Sequence, residues 1–395
     1  MIAIAIVVIV IGFVISYYVA YPLLLQNNTD VFAPRIFFTT SGDIAVMYYE
    51  MPHGGNDSQR DVILTVYDSS GDIIKGPQKI AHLYTSLDAP GIWIPHSKAN
   101  IIMDKKLNAY IVQVARGHGK WKEVAKLSII NPSGKYIVKN RIIPMDCNNT
   151  DVDFDPSRVS LYPVSLIVAG GYLNIFIEYE DDAKYYPIYE LHYFKYTLSG
   201  NKVGEDILIS KSTVYGGHLY SSFVPIKNDV CVIINTTHAM LINTTTSKIM
   251  KFVPEFKYLY GYIHIGYNQT HRITYSFLVY KSKYYPISKD ASVYSNVEYT
   301  FHATIGGCTG GNPKLLMSEY VNWKLKKENK TIFVPERGGD WCYNPDIFGI
   351  QSEVDKDGRV YVVWYVNNGC NHFSAYIMAL KDTKIIFTPR TLPLA

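Results

Sequence analysis

The feature that most constrains this fold is a short run, apolar on both of its faces, that recurs along the chain. Residues 360–366 read Val-Tyr-Val-Val-Trp-Tyr-Val. In an extended chain, Val360, Val362, Trp364 and Val366 line one face, and Tyr361, Val363 and Tyr365 the other. A strand of this kind cannot belong to a sheet with one wet side. Comparable runs lie at 43–49, 108–115, 172–179, 229–235 and 272–280. They are rich in Val, Ile and Tyr and lack helical periodicity, so they predict strands.

A second apolar run, a polar turn and a third run usually follow. In the first unit these are 61–67, 68–71 and 72–80; in the second, 125–130, 131–134 and 135–143. The third unit has 190–196, 197–200 and 201–209, and the fourth and last repeat the order more loosely. The turns Asp68-Ser-Ser-Gly71 and Asn131-Pro-Ser-Gly134 carry the residue order of a type I turn joining antiparallel strands. The first four units begin roughly 60 residues apart, near Arg35, His96, Arg158 and His218, longer than the common propeller repeat. The expectation is an all-β, closed β-propeller of six blades, with five or seven in range. Tandem β-sandwiches are the alternative architecture. The fifth unit is irregular and holds the Gly-rich stretch 306–311.

Residues 2–25 contain no charge. As a helix they would span about 36 Å, enough to cross a bilayer core of about 30 Å. Tyr17, Tyr18 and Tyr21 stand near the outer end, where interfacial aromatics are favoured. The run lacks a basic leader and a small-x-small cleavage site, so it reads as a retained anchor rather than a signal peptide. The domain reading is therefore an anchor helix at 1–26, a linker at 27–34 and an extracellular propeller at 35–395. The partner this implies is a lipid bilayer. The run also resembles the hydrophobic N-terminal helix of archaeal type IV pilins, which implies a filament subunit.

The chain has 395 residues, 48% hydrophobic and only 18% charged, with a formal net charge of +4. No dense basic run with interleaved aromatics exists, so nucleic acid is not an expected partner. Seven Asn-x-Ser/Thr sequons, at Asn27, Asn56, Asn148, Asn235, Asn243, Asn268 and Asn329, point to an outward-facing glycoprotein. The five cysteines form no CxxC motif, which argues against structural zinc. Cys231 sits in an apolar run and reads as a buried thiol. Cys342 and Cys370 flank the first strand of the last unit and are the expected disulfide, with Cys308 the rival partner.

The strand–turn rhythm, and the segment 355–364 in particular, resembles sialidase-like, BNR-type propellers. That resemblance implies an arginine cluster gripping a carboxylate, with Arg35 as its first member and Arg158 as a second. No third arginine stands out, and the family's Asp-box motif is not intact. Glu178 and Glu180 share a strand face and are read as a solvated strand end. Asp151, Asp153 and Asp155 alternate as a candidate calcium site; no other cofactor is expected. Tyr185, Tyr186, Tyr284 and Tyr285, in two Tyr-Tyr-Pro motifs, are the candidate contact residues.

Low charge, sequons and Tyr/Ile richness resemble envelope proteins of thermoacidophilic archaea and surface or turret proteins of their viruses. The expectation is a membrane-displayed protein for adhesion, recognition or envelope structure, without hydrolase activity. It would contact a cell-surface glycan or protein and assemble as a homo-oligomer or larger array. A sialidase-like glycoside hydrolase and a pilin-like subunit are the alternatives.

Overall fold

The computed structural model describes residues 29–52, 59–84, 98–117, 122–144, 156–181, 188–213, 221–234, 238–265, 269–304, 313–335, 346–367 and 372–395. Among the described residues the strands form seven antiparallel sheets, six of four strands and one of three. The fold is a seven-bladed β-propeller, one blade more than the preferred reading of the sequence.

Blade one is β1 (Thr29–Phe38), β2 (Ile44–Pro52), β3 (Gln59–Tyr67) and β4 (Ile73–Tyr84). Blade two is β5 (Ala99–Met103), β6 (Ala109–Arg116), β7 (Glu123–Ile130) and β8 (Tyr136–Ile142). Blade three is β9 (Val159–Ala169), β10 (Tyr172–Asp181), β11 (Ile188–Thr197) and β12 (Ile207–Thr213). Blade four is β13 (Ser221–Ile226), β14 (Asp229–Ile234), β15 (His238–Asn243) and β16 (Ile249–Phe252). Blade five is β17 (Glu255–Ile265), β18 (Gln269–Tyr280) and β19 (Lys283–Pro286). Blade six is β20 (Ala291–Tyr294), β21 (Val297–Ala303), β22 (Leu315–Val321) and β23 (Lys324–Phe333). Blade seven is β24 (Asp346–Val354), β25 (Val360–Asn367), β26 (Phe373–Lys381) and β27 (Lys384–Thr391). The first strand begins at Thr29, inside the stretch expected to be linker.

The two-faced runs are central strands packed between blades. Tyr361, Val363 and Tyr365 of β25 enter the core shared with blade one, while Val360, Val362, Trp364 and Val366 enter the core shared with blade six. Trp364 is fully buried. Cys231 is a free, buried thiol, as the sequence implied, and burial pushes its pKa up to about 12.

The turns form as read. Gly71 N–H donates to Asp68 O, Gly134 N–H to Asn131 O and Gly200 N–H to Thr197 O. Their tight ends let neighbouring blades close. A Cβ on Gly71 would stand 2.7 Å from the Phe387 ring, and one on Gly200 would stand 2.8 Å from Val138. Both glycines also hold positive φ, which L side chains disfavour.

A repeated clasp joins successive blades at these turns. A cation of one blade donates to carbonyls in the turn between the third and fourth strands of the next. Lys75 reaches Pro132 O at 3.1 Å, Arg141 reaches Gly200 O, and Lys195 reaches Thr244 O at 3.1 Å and Thr245 O at 3.0 Å. Lys330 reaches Thr383 O at 2.7 Å, and Arg390 closes the ring on Gly71 O. Much of the basic character of the outermost strands is therefore structural. Donors ending on otherwise open turn carbonyls satisfy groups that the antiparallel ladder leaves unpaired.

Blade five breaks the pattern. Its short strand β19 packs beside β13 and β20, which are first, inner strands. Its first strand, β17, lies beside the outer strands of blade six, where Tyr320 donates to Tyr260 O at 3.4 Å. The chain therefore threads this blade from outside to inside, and among the described residues the blade has three strands and no fourth. The only comparable reach from it among the described residues is Lys257, whose ammonium lies 5.6 Å from the Trp323 ring.

Candidate functional site

The reversed threading places a turn on the propeller axis. Ser276 O of β18 accepts from Ile287 N–H at 2.9 Å, and the chain then folds back through a turn closed by Ala291 N–H to Ser288 O at 3.3 Å. Lys289 and Asp290 are its tip. Lys289 O accepts from Ser352 N–H of blade seven at 2.9 Å, and Asp290 O accepts from Phe301 N–H of blade six at 2.9 Å. A two-residue tip tied to blades five, six and seven at once can sit only near the axis.

Blade one contributes Arg35. A bulge at Ala33 and Pro34 interrupts the β1–β2 ladder just before it, and bulges re-aim the side chains that follow. Arg35 Nη1 donates to Ile101 O at 2.7 Å and lies 3.4 Å from Asn100 Oδ1. Its charge is the main reason that Lys289 is pushed down to about 8, with burial second. Blade seven contributes Glu353, also just after a bulge, at Gly349 and Ile350. Burial raises Glu353 to about 7 and Asp290 to about 6.

Lys289 and Glu353 are nonetheless open to water. Placed at the axis and exposed to solvent, they line the central channel of the propeller. Among the described residues neither carboxyl pairs with either cation. Two cations without a counter-carboxylate make a site of positive potential.

A second charged group lies within blade three and is sealed. His192 is unexposed, its Nε2 3.1 Å from Glu190 Oε2 and its Nδ1 3.5 Å from Asp206 Oδ2. The Tyr179 ring stacks on it at 4.1 Å. Burial opposes its charge, but the two carboxylates outweigh burial and raise its pKa. With His192, Glu190 and Asp206 all buried, it is a stabilising cluster rather than a site.

Several sequence-based candidates fall elsewhere. Arg158 ends a one-turn 3-10 helix, Pro156–Arg158, ahead of β9 and is exposed; the arginine cluster implied by the sialidase resemblance is not assembled from it among the described contacts. Tyr284 and Tyr285 are strand residues, not loop residues, because β19 pairs with β18. Both are half-buried, with Tyr284 4.4 Å from the Trp323 ring and Tyr285 in the core between blades four and five. Glu178 is buried and Glu180 accepts from Tyr189 at 3.1 Å, so this pair is an interior feature and not a solvated strand end. Asp355 is used by its own turn, accepting from the N–H groups of Asp357 and Arg359.

Tyr185, Tyr186, Asp151, Asp153, Asp155, Cys342 and Cys370 lie outside the described residues, as do Asn27, Asn56, Asn148, Asn235 and Asn268. Residues 2–25 do too; among the described residues no helix is long and apolar enough to cross a membrane. Among them, too, no group of His, Cys, Asp or Glu is arranged to hold a metal.

The sequence offered one signal for the axial site and hid the rest. Arg35 was singled out through the sialidase resemblance. Lys289 and Asp290 lie in the irregular fifth unit, and Glu353 of the last unit carries no local motif that marks it. The run Pro286-Ile-Ser-Lys-Asp290 is a turn signal, but only the reversed threading tells that this turn points inward.

No family model and no curated protein matches the chain. Some solved structures align with it along most of its length at low similarity. A polysaccharide lyase of family PL25, an ulvan lyase, is 12% identical with a TM-score of 0.49, covering 93% of this chain and 97% of that one. A protein of unknown function from Dyadobacter fermentans is 10% identical with a TM-score of 0.40, covering 89% and 95%. A subtype N10 neuraminidase-like protein from a little yellow-shouldered bat isolate is 10% identical with a TM-score of 0.38, covering 90% and 99%. At such identities the likeness concerns the fold and assigns no activity.

Proposed function

We propose that the protein is a surface-displayed recognition propeller whose axial channel binds an anionic group, such as the carboxylate or sulfate of an acidic glycan. The observation that carries this is the approach of Arg35 and Lys289 across the channel with no carboxylate paired to either. An entering anion would relieve that repulsion and gain charge-assisted hydrogen bonds. In this reading residues 2–25 hold the domain at a bilayer, several sequons carry glycans, Cys342 and Cys370 pair, and calcium at Asp151, Asp153 and Asp155 is structural. Assembly into an oligomer or larger array belongs to the same reading.

Titration calorimetry with a uronate- or sialate-bearing oligosaccharide and its neutral counterpart tests it. The acidic ligand should bind, the neutral one should not, and Arg35→Ala and Lys289→Ala should each weaken binding at least about tenfold, a loss of about 1.4 kcal/mol. Affinity should fall as pH rises. Glu353 gains its repelling charge through about 7, and Lys289 loses its attracting charge through about 8. Equal binding of both ligands, or affinity that climbs over that range, rejects the channel reading.

A second reading, a glycan hydrolase or lyase, is favoured by the two raised carboxyls. Asp290 near 6 and Glu353 near 7 would each be partly protonated at neutral pH, as acid–base catalysis needs. Cleavage of an acidic polysaccharide, lost on Glu353→Gln, would establish it.

A further inference from the structure

Two sequons lie within the described strands, and their surroundings differ. Asn243 is locked into the turn that blade three grips. Its Nδ2 donates to Asp229 Oδ1 at 3.0 Å, and its Oδ1 accepts from both the N–H and the hydroxyl of Thr246 at 2.9 Å. The middle residue of that sequon, Thr244, is fully buried. An amide nitrogen spent on a carboxylate inside a clasped turn is not available to a transferase.

Asn329 lies on β23, the outer edge strand of blade six, followed by exposed Lys330 and Thr331. It occupies a bulge opposite Ser318 with φ of +47°. Its N–H donates to Ser318 Oγ at 3.0 Å, and its Oδ1 lies 3.5 Å from the same hydroxyl. Among the described residues its Nδ2 meets no hydrogen-bond partner. The bulge itself belongs to the fold: in blade two, Asn140, with φ of +51°, makes the same bond to Ser128 Oγ at 3.0 Å. Only at Asn329 does the bulge coincide with a sequon.

There, too, the bulge opens on a cleft. The missing fourth strand of blade five leaves the flank of β22 and β23 uncovered, and a cleft of about 290 Å³ remains between the blades. Its walls include Tyr260, Tyr320, Trp323 and Leu325, with Glu328 and Asn329 itself. Tyr260 and Leu325 are 42% and 49% exposed, unusually open for large apolar groups that could be covered. Beneath Gly261, which also lines the cleft, lies His302, whose Nε2 is buried without a hydrogen-bond partner.

We propose that Asn329, and not Asn243, carries an N-linked glycan, and that its first sugar lies in the cleft between blades five and six. This rests on the glycosylated, outward-facing reading above. The Asn329 amide nitrogen forms a bond to the anomeric carbon of a lipid-phosphate-linked oligosaccharide; the phosphate leaves with the bonding pair, and the amide gives up one proton. The sugar ring then covers aromatic surface with its C–H face and offers hydroxyls to Glu328 and to the polar floor. It takes part of the place that a fourth strand fills in the other blades.

The test uses the full chain made in a host that glycosylates secreted proteins and, in parallel, in one that does not. Glycopeptide mass mapping should find Asn329 occupied and Asn243 bare. In the glycosylating host, Asn329→Gln and Thr331→Ala should each lower the melting temperature by about 1–2 °C and shift Trp323 emission; in the other host neither change should appear. The paired hosts separate a glycan effect from a side-chain effect. A bare Asn329 beside other occupied sequons, an occupied Asn243, or equal melting of glycosylated and bare protein overturns the proposal. A chain bare at every sequon overturns it as well, and leaves acidic-ligand binding in the channel as the separate measure of the recognition reading.

Discussion

Blade three and blade five are made of the same kinds of residue and do opposite work. Blade three runs from inside to outside, seals its charged residues and hands Lys195 to the next turn. Blade five runs from outside to inside, has one strand fewer among the described residues, and hands on a loose cation–ring contact from Lys257 and a hydrogen bond from Tyr275 to Phe301 O. The difference lies in direction rather than composition. A blade threaded normally keeps its turns on the rim, where they serve as clasps. A blade threaded in reverse must end at the axis, so its exit turn delivers Lys289 and Asp290 to the channel and leaves its outer flank open. The propeller's regular blades supply stability, and its irregular one supplies accessible chemistry.

The largest expected effect probes the sealed side of that contrast. Asp206→Ala should strand the buried His192 charge between fewer partners and cost about 3–5 kcal/mol, read by chemical denaturation. The pH dependence has two arms. The pKa of His192 is raised, so its contribution is whole below its ordinary value of about 6.5 and fades as pH rises through the folded value. The pKa of Asp206 is lowered, burial being outweighed by its His192 and backbone hydrogen bonds, so its contribution is whole above the ordinary Asp value and fades as pH falls. The wild type should lose stability at both ends, and the variant should lose less at each.

The glycines sharpen the comparison further. Gly71→Ala should cost about 1–3 kcal/mol, since its Cβ would meet the Phe387 ring at 2.7 Å at a φ of +84°. Gly261→Ala in blade five should change stability by less than about 0.5 kcal/mol, because its Cβ would meet nothing closer than 3.4 Å. Equal costs would mean that blade five is packed like the others. The clasps make the same contrast on a smaller scale than the Gly71 turn: Arg390→Ala should cost about 1–2 kcal/mol, and Lys257→Ala about 0.5 kcal/mol or less, both by thermal melting of the intact chain.

The sequence by itself determined the strands, their turns and their two buried faces. Those features depend on neighbours within a few residues: the period of two in residues 360–366, the Asx-to-Gly order at 68–71, the apolar setting of Cys231. It also marked Arg35, through the position it shares with sialidase-like repeats. Its preferred count fell one blade short because residues 255–294 do not repeat the common order. Only the tertiary structure decided the direction of blade five, since an antiparallel hairpin has the same local pattern whether it is laid from the axis outward or from the rim inward. That choice is settled by packing across blades, where Tyr320 meets Tyr260 and Ser352 meets Lys289. It also decided that Tyr284 and Tyr285 are half-buried against neighbouring side chains while Lys289 and Glu353 face water, because burial belongs to the closed ring and no short stretch of chain carries it.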